Sequence, residues 1–215
     1  AGQLLRIRLR TTDAAGFSFE QAFVITVTPP AGGMVIDEIH CNGVDNTVLN
    51  EFIELHNAGA APADLTGWRV SGGVNYAFPA GTAVAPGGFL LVAASPAAMT
   101  SSFGKSALGP WTGALSSEGE SIRLRDSADA VVDEVDYSIG FPWPVAAGGD
   151  GASMEKIHPL LDGRLGGSWR SATIPAANAT RDTASPGTAN AQFSAAAPPA
   201  VRQVASRCSA AARRH

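Results

Sequence analysis

The sequence predicts an all-β protein: an antiparallel β-sandwich with a loop-rich C-terminal part. Short runs of strand-forming residues recur from Met34 to Tyr137, several of them alternating as half-buried strands do. Turn signals such as Asn42-Gly43, Gly72-Gly73 and Pro86-Gly87-Gly88 separate them at roughly 8–12-residue intervals, the spacing of a sandwich. No ten-residue stretch shows helical periodicity; the nearest, Ser95 to Phe103, is short and led by a proline.

The elements follow in order. Leu5, Ile7 and Leu9 alternate with Arg6, Arg8 and Arg10, Thr12 to Gly16 supplies a turn, and Ala22 to Val27 alternates again. Pro29-Pro30 and Gly33 mark a boundary, because prolines stop strand pairing and glycine frees the chain. Residues 1–30 are therefore expected to be the terminal hairpin of a preceding domain, and the chain to be a fragment of a longer protein. The main domain is placed at 33–190. Its strands are Val35 to His40, Glu51 to Asn57, Trp68 to Ser71, Tyr76 to Phe78 and Phe89 to Ala93. A hairpin of Ser121 to Arg125 and Ala130 to Tyr137 completes the set. Residues 138–190 read as loops, and 193–215 as an Ala-rich basic tail expected to be flexible.

Within Glu51 to Asn57, Phe52, Glu54 and His56 share one face and Ile53 and Leu55 the other, so Glu54 or His56 is expected to be partly covered. Asp64 and Thr66 suit hydrogen bonds to turn amides, Gly67 permits a positive φ, and Trp68 is expected to enter the core. Asp133 stands on the apolar face of Val135 and Tyr137. Such an acid is costly unless N–H groups or a cation satisfy it. If hydrogen bonding to a loop is its role, Asp133→Asn costs little and Asp133→Leu much.

Composition narrows the function. Of 215 residues, 45% are hydrophobic, enough for a packed core, and only 16% are charged. The net charge of −4 is uneven: +1 over residues 1–30, −9 over 31–192 and +4 over 193–215. So acidic a body repels a phosphate backbone, which argues against nucleic-acid binding by the folded part. No run reaches the roughly 18 apolar residues of a membrane span. The two cysteines, Cys41 and Cys208, lack the spacing of a disulfide framework, and their pairing is left open.

Taken as an ordered set, these residues resemble the bacterial lamin-tail domain. The set is Ile36-Asp-Glu-Ile39, Glu51-Phe-Ile-Glu-Leu-His-Asn57, Leu65-Thr-Gly-Trp68, Phe78-Pro79, Pro86-Gly-Gly88 and Gly119-Glu120. It continues with Asp133-Glu-Val-Asp-Tyr137, Trp143-Pro144, Gly151-Ala-Ser-Met-Glu155 and Ser185-Pro-Gly-Thr-Ala-Asn190. The resemblance covers about residues 33–190. It implies an immunoglobulin-like sandwich whose structural signature includes Glu51, Phe52, Glu54, Asn57, Gly67, Trp68, Asp133 and Tyr137. It also implies a non-catalytic interaction or scaffolding module of a larger bacterial protein, secreted or at the cell surface, with an unknown protein partner. The first hairpin resembles the end of a cadherin-like or bacterial Ig-like repeat.

Other chemistries are weaker. Cys41 follows His40, but neighbours on a strand point to opposite faces, so a packed thiol and a surface imidazole are expected rather than a dyad. His40, His56 and His158 lack zinc-ligand spacing. No cofactor is expected, with calcium the one ion whose hard oxygen ligands the loops offer. Asp13 in its turn and Asp150 in Gly148-Gly-Asp-Gly151 are the candidate ligands. The alternative function is a glycan- or surface-binding accessory module of an extracellular hydrolase. Its platform would be Phe141, Trp143 and Trp169, and burial of both tryptophans would remove it. Loop aromatics also cap open sandwich ends, which is the favoured assignment.

Overall fold

The computed structural model describes residues 3–27, 33–44, 47–178 and 181–194. The Pro29-Pro30 boundary, the Asp45-Asn46 loop tip and the chain beyond Ser194, Cys208 included, lie outside them. Strands β1 (Gln3–Thr12) and β2 (Ser18–Val27) form an antiparallel hairpin. Asp13 shapes its turn by accepting the amides of Ala15 and Phe17 at 2.9 and 3.0 Å.

The strands of the main body are β3 (Met34–His40), β4 (Phe52–Asn57), β5 (Ala63–Asp64), β6 (Arg69–Gly72), β7 (Val74–Ala77), β8 (Ala83–Val84) and β9 (Phe89–Ala93). They continue with β10 (Thr112–Gly113), β11 (Gly119–Arg125), β12 (Val131–Ser138), β13 (Met154–Lys156) and β14 (Trp169–Ser171). Two five-stranded antiparallel sheets result. The front sheet runs β10-β7-β6-β11-β12 and the back sheet β14-β13-β3-β4-β9, while β5 and β8 pair as a small ribbon.

Met34, Ile36, Ile39, Ile53, Leu55 and Met154 of the back sheet meet Val70, Val74, Ile122, Leu124, Val135 and Tyr137 of the front sheet in one buried cluster. Each fully buried large apolar side chain contributes roughly 1.5–3 kcal/mol. At the Leu65 turn, Gly67 takes φ +77° and Asp64 accepts the amide and hydroxyl of Thr66 at 2.9 and 2.7 Å. Leu65 is the turn's fully buried side chain; Trp68 packs against the core half-buried rather than entering it. Asn57 holds the following bend, donating to the carbonyls of Ala61 and Val84 and accepting from Gly59.

Three segments of the chain also differ from what the sequence predicts. Residues 96–103 are helical: Ser95 caps the amide of Ala98, Gly104 ends the turn at φ +66°, and Met99 and Phe103, four residues apart, are both buried. The 138–190 region contributes β13 and β14 to the back sheet. The first described residues of the expected tail are docked. Phe193 stacks on His158 with centroids 5.7 Å apart, and the Ser194 amide donates to Ile157 at 2.9 Å.

Candidate functional site

A β-bulge in β3 builds the most unusual part of the molecule. Strict alternation would put Met34, Ile36, Glu38 and His40 on one face. The pairing of β3 with β4 shifts between Ile36 and Glu38, so the extra residue Asp37 reverses the parity. Ile39 and Cys41 then join the inter-sheet core, and Glu38 and His40 turn to the outer face of the back sheet. There Glu155, Glu38 and Glu54 stand side by side on β13, β3 and β4, in direct register. All three are fully buried.

Their cover is a second layer. Phe52, Leu91 and Ala93 from the sheet pack with Met99, Phe103 and Ala184 in a separate apolar cluster. Ser185 to Asn190 closes over the acids. Glu38 Oε1 accepts the Ser185 amide at 2.9 Å and the Ser153 hydroxyl. Glu54 Oε2 accepts the Gly187 amide. Glu155 accepts the Ser185 hydroxyl at 2.6 Å and the Gln192 amide at 3.0 Å. Asn190 Nδ2 donates to the carbonyls of Asp37 and Lys156, each at 3.0 Å. Burial pushes the Glu38 carboxyl up to about 8, against the pull of the Ser153 and Ser185 donors. Burial first, and the neighbouring Glu38 second, push Glu54 up to about 10. Asp37 rises to about 7 through burial, opposed by Lys156.

The other buried acids do similar work. Glu51 Oε2 accepts the Leu115 amide at 2.9 Å, and burial lifts its carboxyl to about 7. Asp182 accepts the Val44 amide at 2.8 Å and lies 4.0 Å from His40 Nε2. Asp133 Oδ2 accepts the Ile36 amide at 2.8 Å and faces Lys156 Nζ at 3.4 Å. It is therefore satisfied by an N–H and a cation, as expected, but the element it ties is β3 at its bulge, not a loop. Tyr137 donates to the Ser116 carbonyl at 2.7 Å and to Glu120 at 3.1 Å. Cys41 is a packed thiol, and burial pushes it up to about 12.

Several expected sites are corrected. His40 is not a surface imidazole. It is fully buried, stacked on Phe52 at 5.5 Å, with its ring nitrogens 3.1 and 3.3 Å from the carbonyls of Asn50 and Gly151. Burial holds its pKa down, opposed by Asp182. The bulge is the reason: it sends His40 beneath the second layer. Phe141, Trp143 and Trp169 form no open platform. Phe141 is 96% exposed, but Trp143 and Trp169 are 9% and 1% exposed. The Trp169 indole donates to Gly163 and its ring lies under Lys156 Nζ at 5.7 Å, so its face is already occupied. Asp13 serves its own turn and Asp150 is exposed. Among the described residues no group of three or more His, Cys, Asp or Glu side chains is arranged to hold a metal ion.

Two concavities are shallow. One of about 220 Å³ lies along Val131 to Glu134, Asp162 and Arg164. Another of about 170 Å³ lies between Phe103, Lys105, Ile174 to Ala177 and Ala184 to Thr188. Both are smaller than the roughly 300–1,000 Å³ of small-molecule sites.

Glu38, Glu155, Ser185, Asn190 and Asp182 are the residues that reading for catalysis missed. The visible signal was acids in strand positions at Glu38 and Glu54, with Glu155 and a Ser-Pro-Gly segment in the part read as loops. Nothing in the spacing linked them, because the bulge decides which face Glu38 takes.

Comparison with known proteins bears on this arrangement. Residues 28–138 match the Lamin Tail Domain family. Among solved structures, a DUF4876 family protein from Bacteroides thetaiotaomicron VPI-5482 is similar over 87% of this chain and 83% of that one, at 12% identity and a TM-score of 0.44. No curated protein gives a significant match. The match spans more than half of the sequence and takes in both the Glu51–Asn57 segment and the Leu65–Trp68 turn, and the chain belongs to the lamin tail domain family.

Proposed function

We propose that the chain is a non-catalytic interaction and scaffolding module of a larger bacterial protein, secreted or at the cell surface. In this reading residues 1–30 end a preceding domain and 33–190 form the module. One observation carries it: acids in the core and at its margin each hold a main-chain amide of another segment. Glu38, Glu51, Glu54, Glu155, Asp133 and Asp182 each accept a main-chain amide from a different part of the chain. Groups committed in this way pin loops and strands rather than attack or protonate a substrate. No helix among the described residues is long and apolar enough to cross a membrane.

The contact surface is proposed at the end of the sandwich where Phe141, Val145 and Leu165 are exposed at 96%, 68% and 49%. The loops that carry them touch, since a Cβ on Gly166 would lie 2.8 Å from the Pro142 carbonyl carbon and the Trp143 nitrogen. An exposed aromatic flanked by aliphatic side chains suits an apolar protein partner. The accessory glycan reading keeps only Phe141 from its three aromatics, and calcium as its ion keeps no assembled site among the described residues.

The test is a panel of chromogenic ester, phosphodiester, peptide and glycoside substrates, with and without calcium. The module is expected to turn over none of them. Turnover abolished by Glu54→Gln or Asp133→Asn in a folded variant would overturn the proposal.

A further inference from the structure

The other oxygens of the Glu38 and Glu54 pair are unaccounted for. Glu38 Oε2 and Glu54 Oε1 are both buried and neither meets a protein donor among the described residues. The two side chains face the same side of the sheet from directly opposed positions of β3 and β4, where Cβ atoms lie about 4.5–5.5 Å apart. A pair of carboxylates in that position cannot both be charged without a counterion. The groups packed around them do not supply one in contact. Asp37 and Glu155 add negative charge from β3 and β13, and Ser153 and Ser185 are neutral donors. His56, next along the outer face of β4, is half-buried and stacked on Phe89, and burial holds its pKa down. Leu91 faces Glu54 from β9, and Phe103 and Met99 close the apolar side. Lys105 is the nearby cation; it reaches Gly187 in the closing segment, where a Cβ would meet its Nζ at 3.5 Å, and accepts no place among the donors to either acid.

We propose that Glu38 and Glu54 hold one proton between Glu38 Oε2 and Glu54 Oε1, and that this shared proton latches residues 185–190 onto the back sheet. One carboxyl is neutral and donates; the other is ionised and accepts. Each acid then still offers its remaining oxygen to the closing segment, Glu38 to Ser185 and Glu54 to Gly187. When hydroxide takes the proton to form water, two negative charges are left on opposed positions of neighbouring strands in a buried site. The relief available is to admit water by lifting Ser185 to Asn190. The raised carboxyls described above agree in direction: a buried acid with a like charge beside it keeps its proton. The latch is therefore closed in acidic and neutral solution and opens on the alkaline side. Its opening uncovers the acids and the Phe103 and Ala184 edge of the apolar cluster, which lines the concavity beside Ser185 and Pro186.

The experiment follows the side-chain carboxyl ¹³C resonances of Glu38 and Glu54, and the amide resonances of Ser185 and Gly187, from about pH 4 to pH 10. In the wild-type chain one carboxyl of the pair is expected to stay protonated through neutrality. Ser185 and Gly187 should lose their protection from solvent exchange in step with its alkaline titration. Glu54→Gln keeps a neutral donor at every pH, so its closing segment should stay protected across the range. Both carboxyls titrating near the free-Glu value of about 4.3 would overturn the latch. So would Glu54→Gln opening at the same pH as the wild type. Calcium or magnesium chloride moving the carboxyl titration to lower pH while Ser185 and Gly187 stay protected would assign the two oxygens to a cation and overturn the shared proton. If Glu54→Gln does not fold, the wild-type titration decides alone.

Discussion

Replacing Asp133 tests how the front-sheet edge strand β12 is joined to the central back-sheet strand β3. Asp133→Leu fills similar space but removes the acceptor of the Ile36 amide and the partner of Lys156, whose side chain is 0% exposed. Stranding a buried charge by removing its partner costs about 3–5 kcal/mol, and orphaning a buried amide about 1–3 kcal/mol. The terms overlap because Lys156 can reorient, so a total of about 4–5 kcal/mol is expected. For a chain of this size that lowers the melting temperature by roughly 8–20 °C. Asp133→Asn keeps an oxygen for Ile36 but not the charge, and is expected to cost about 2–3 kcal/mol. The sequence alone made the Asn variant mild, because Lys156 was not in view. Asp133→Leu combined with Lys156→Met removes both charges and leaves Trp169 a sulfur in place of the cation, so it should recover about 2 kcal/mol of the loss. Urea unfolding of the four proteins gives these differences from the midpoints at constant slope. A Leu variant within about 1 kcal/mol of wild type, or a double variant no more stable than Asp133→Leu alone, would refute the reasoning.

Other outcomes follow from the same geometry. Asp37 is held up at about 7 by burial, so the folded chain keeps a proton that the unfolded chain releases from its ordinary 3.8 upward. Its contribution is full below that value and declines by about 1.4 kcal/mol per pH unit until the folded value is passed. Glu51 acts in the same direction. His40 acts oppositely, since its ring is held neutral and its contribution is lost as the pH falls below 6.5. Urea unfolding over a pH series should therefore show a maximum on the weakly acidic side, and a plateau extending past pH 8 would contradict it. Gly151→Ala should destabilise by more than about 2 kcal/mol, because φ is +79° and its Cβ would lie 2.2 Å from Val44 and 2.5 Å from Asp182. Phe141→Ser should leave the melting temperature unchanged, within about 0.5 kcal/mol, while removing any self-association or partner binding at that end.

Strands with clean turn signals were legible. The segments Val35 to His40, Glu51 to Asn57, Phe89 to Ala93 and the Ser121 to Tyr137 hairpin lie within a residue or two of the observed strands. Their apolar residues alternate or cluster, and glycine, proline and asparagine bound them. Met154-Glu-Lys156 and Trp169-Arg-Ser171 were not legible as strands, because three residues with one apolar side chain carry no period. β13 pairs with β3 and β14 with β13, and this pairing supplies the hydrogen bonds that local propensity does not. The acid row was half legible. Glu54 or His56 was expected to be partly covered; Glu54 is fully buried and His56 half-buried. The face taken by Glu38 depends on a single extra residue at Asp37, and nothing in Ile36-Asp-Glu-Ile39 announces a bulge. The helical turn at 96–103 was passed over for its length. Its stability comes from the Ser95 cap and from burying Met99 and Phe103 on Phe52, not from helix propensity.

Amide hydrogen exchange at Ile36, Val44, Leu115, Ser185, Gly187 and Gln192 bears most directly on the account, because each of these N–H groups is held by a buried or half-buried carboxyl rather than by a neighbouring strand. In neutral solution all six are expected to exchange as slowly as amides of the central strands. Free exchange at Ser185, Gly187 and Gln192 in the folded chain would show that the acids do not hold the closing segment.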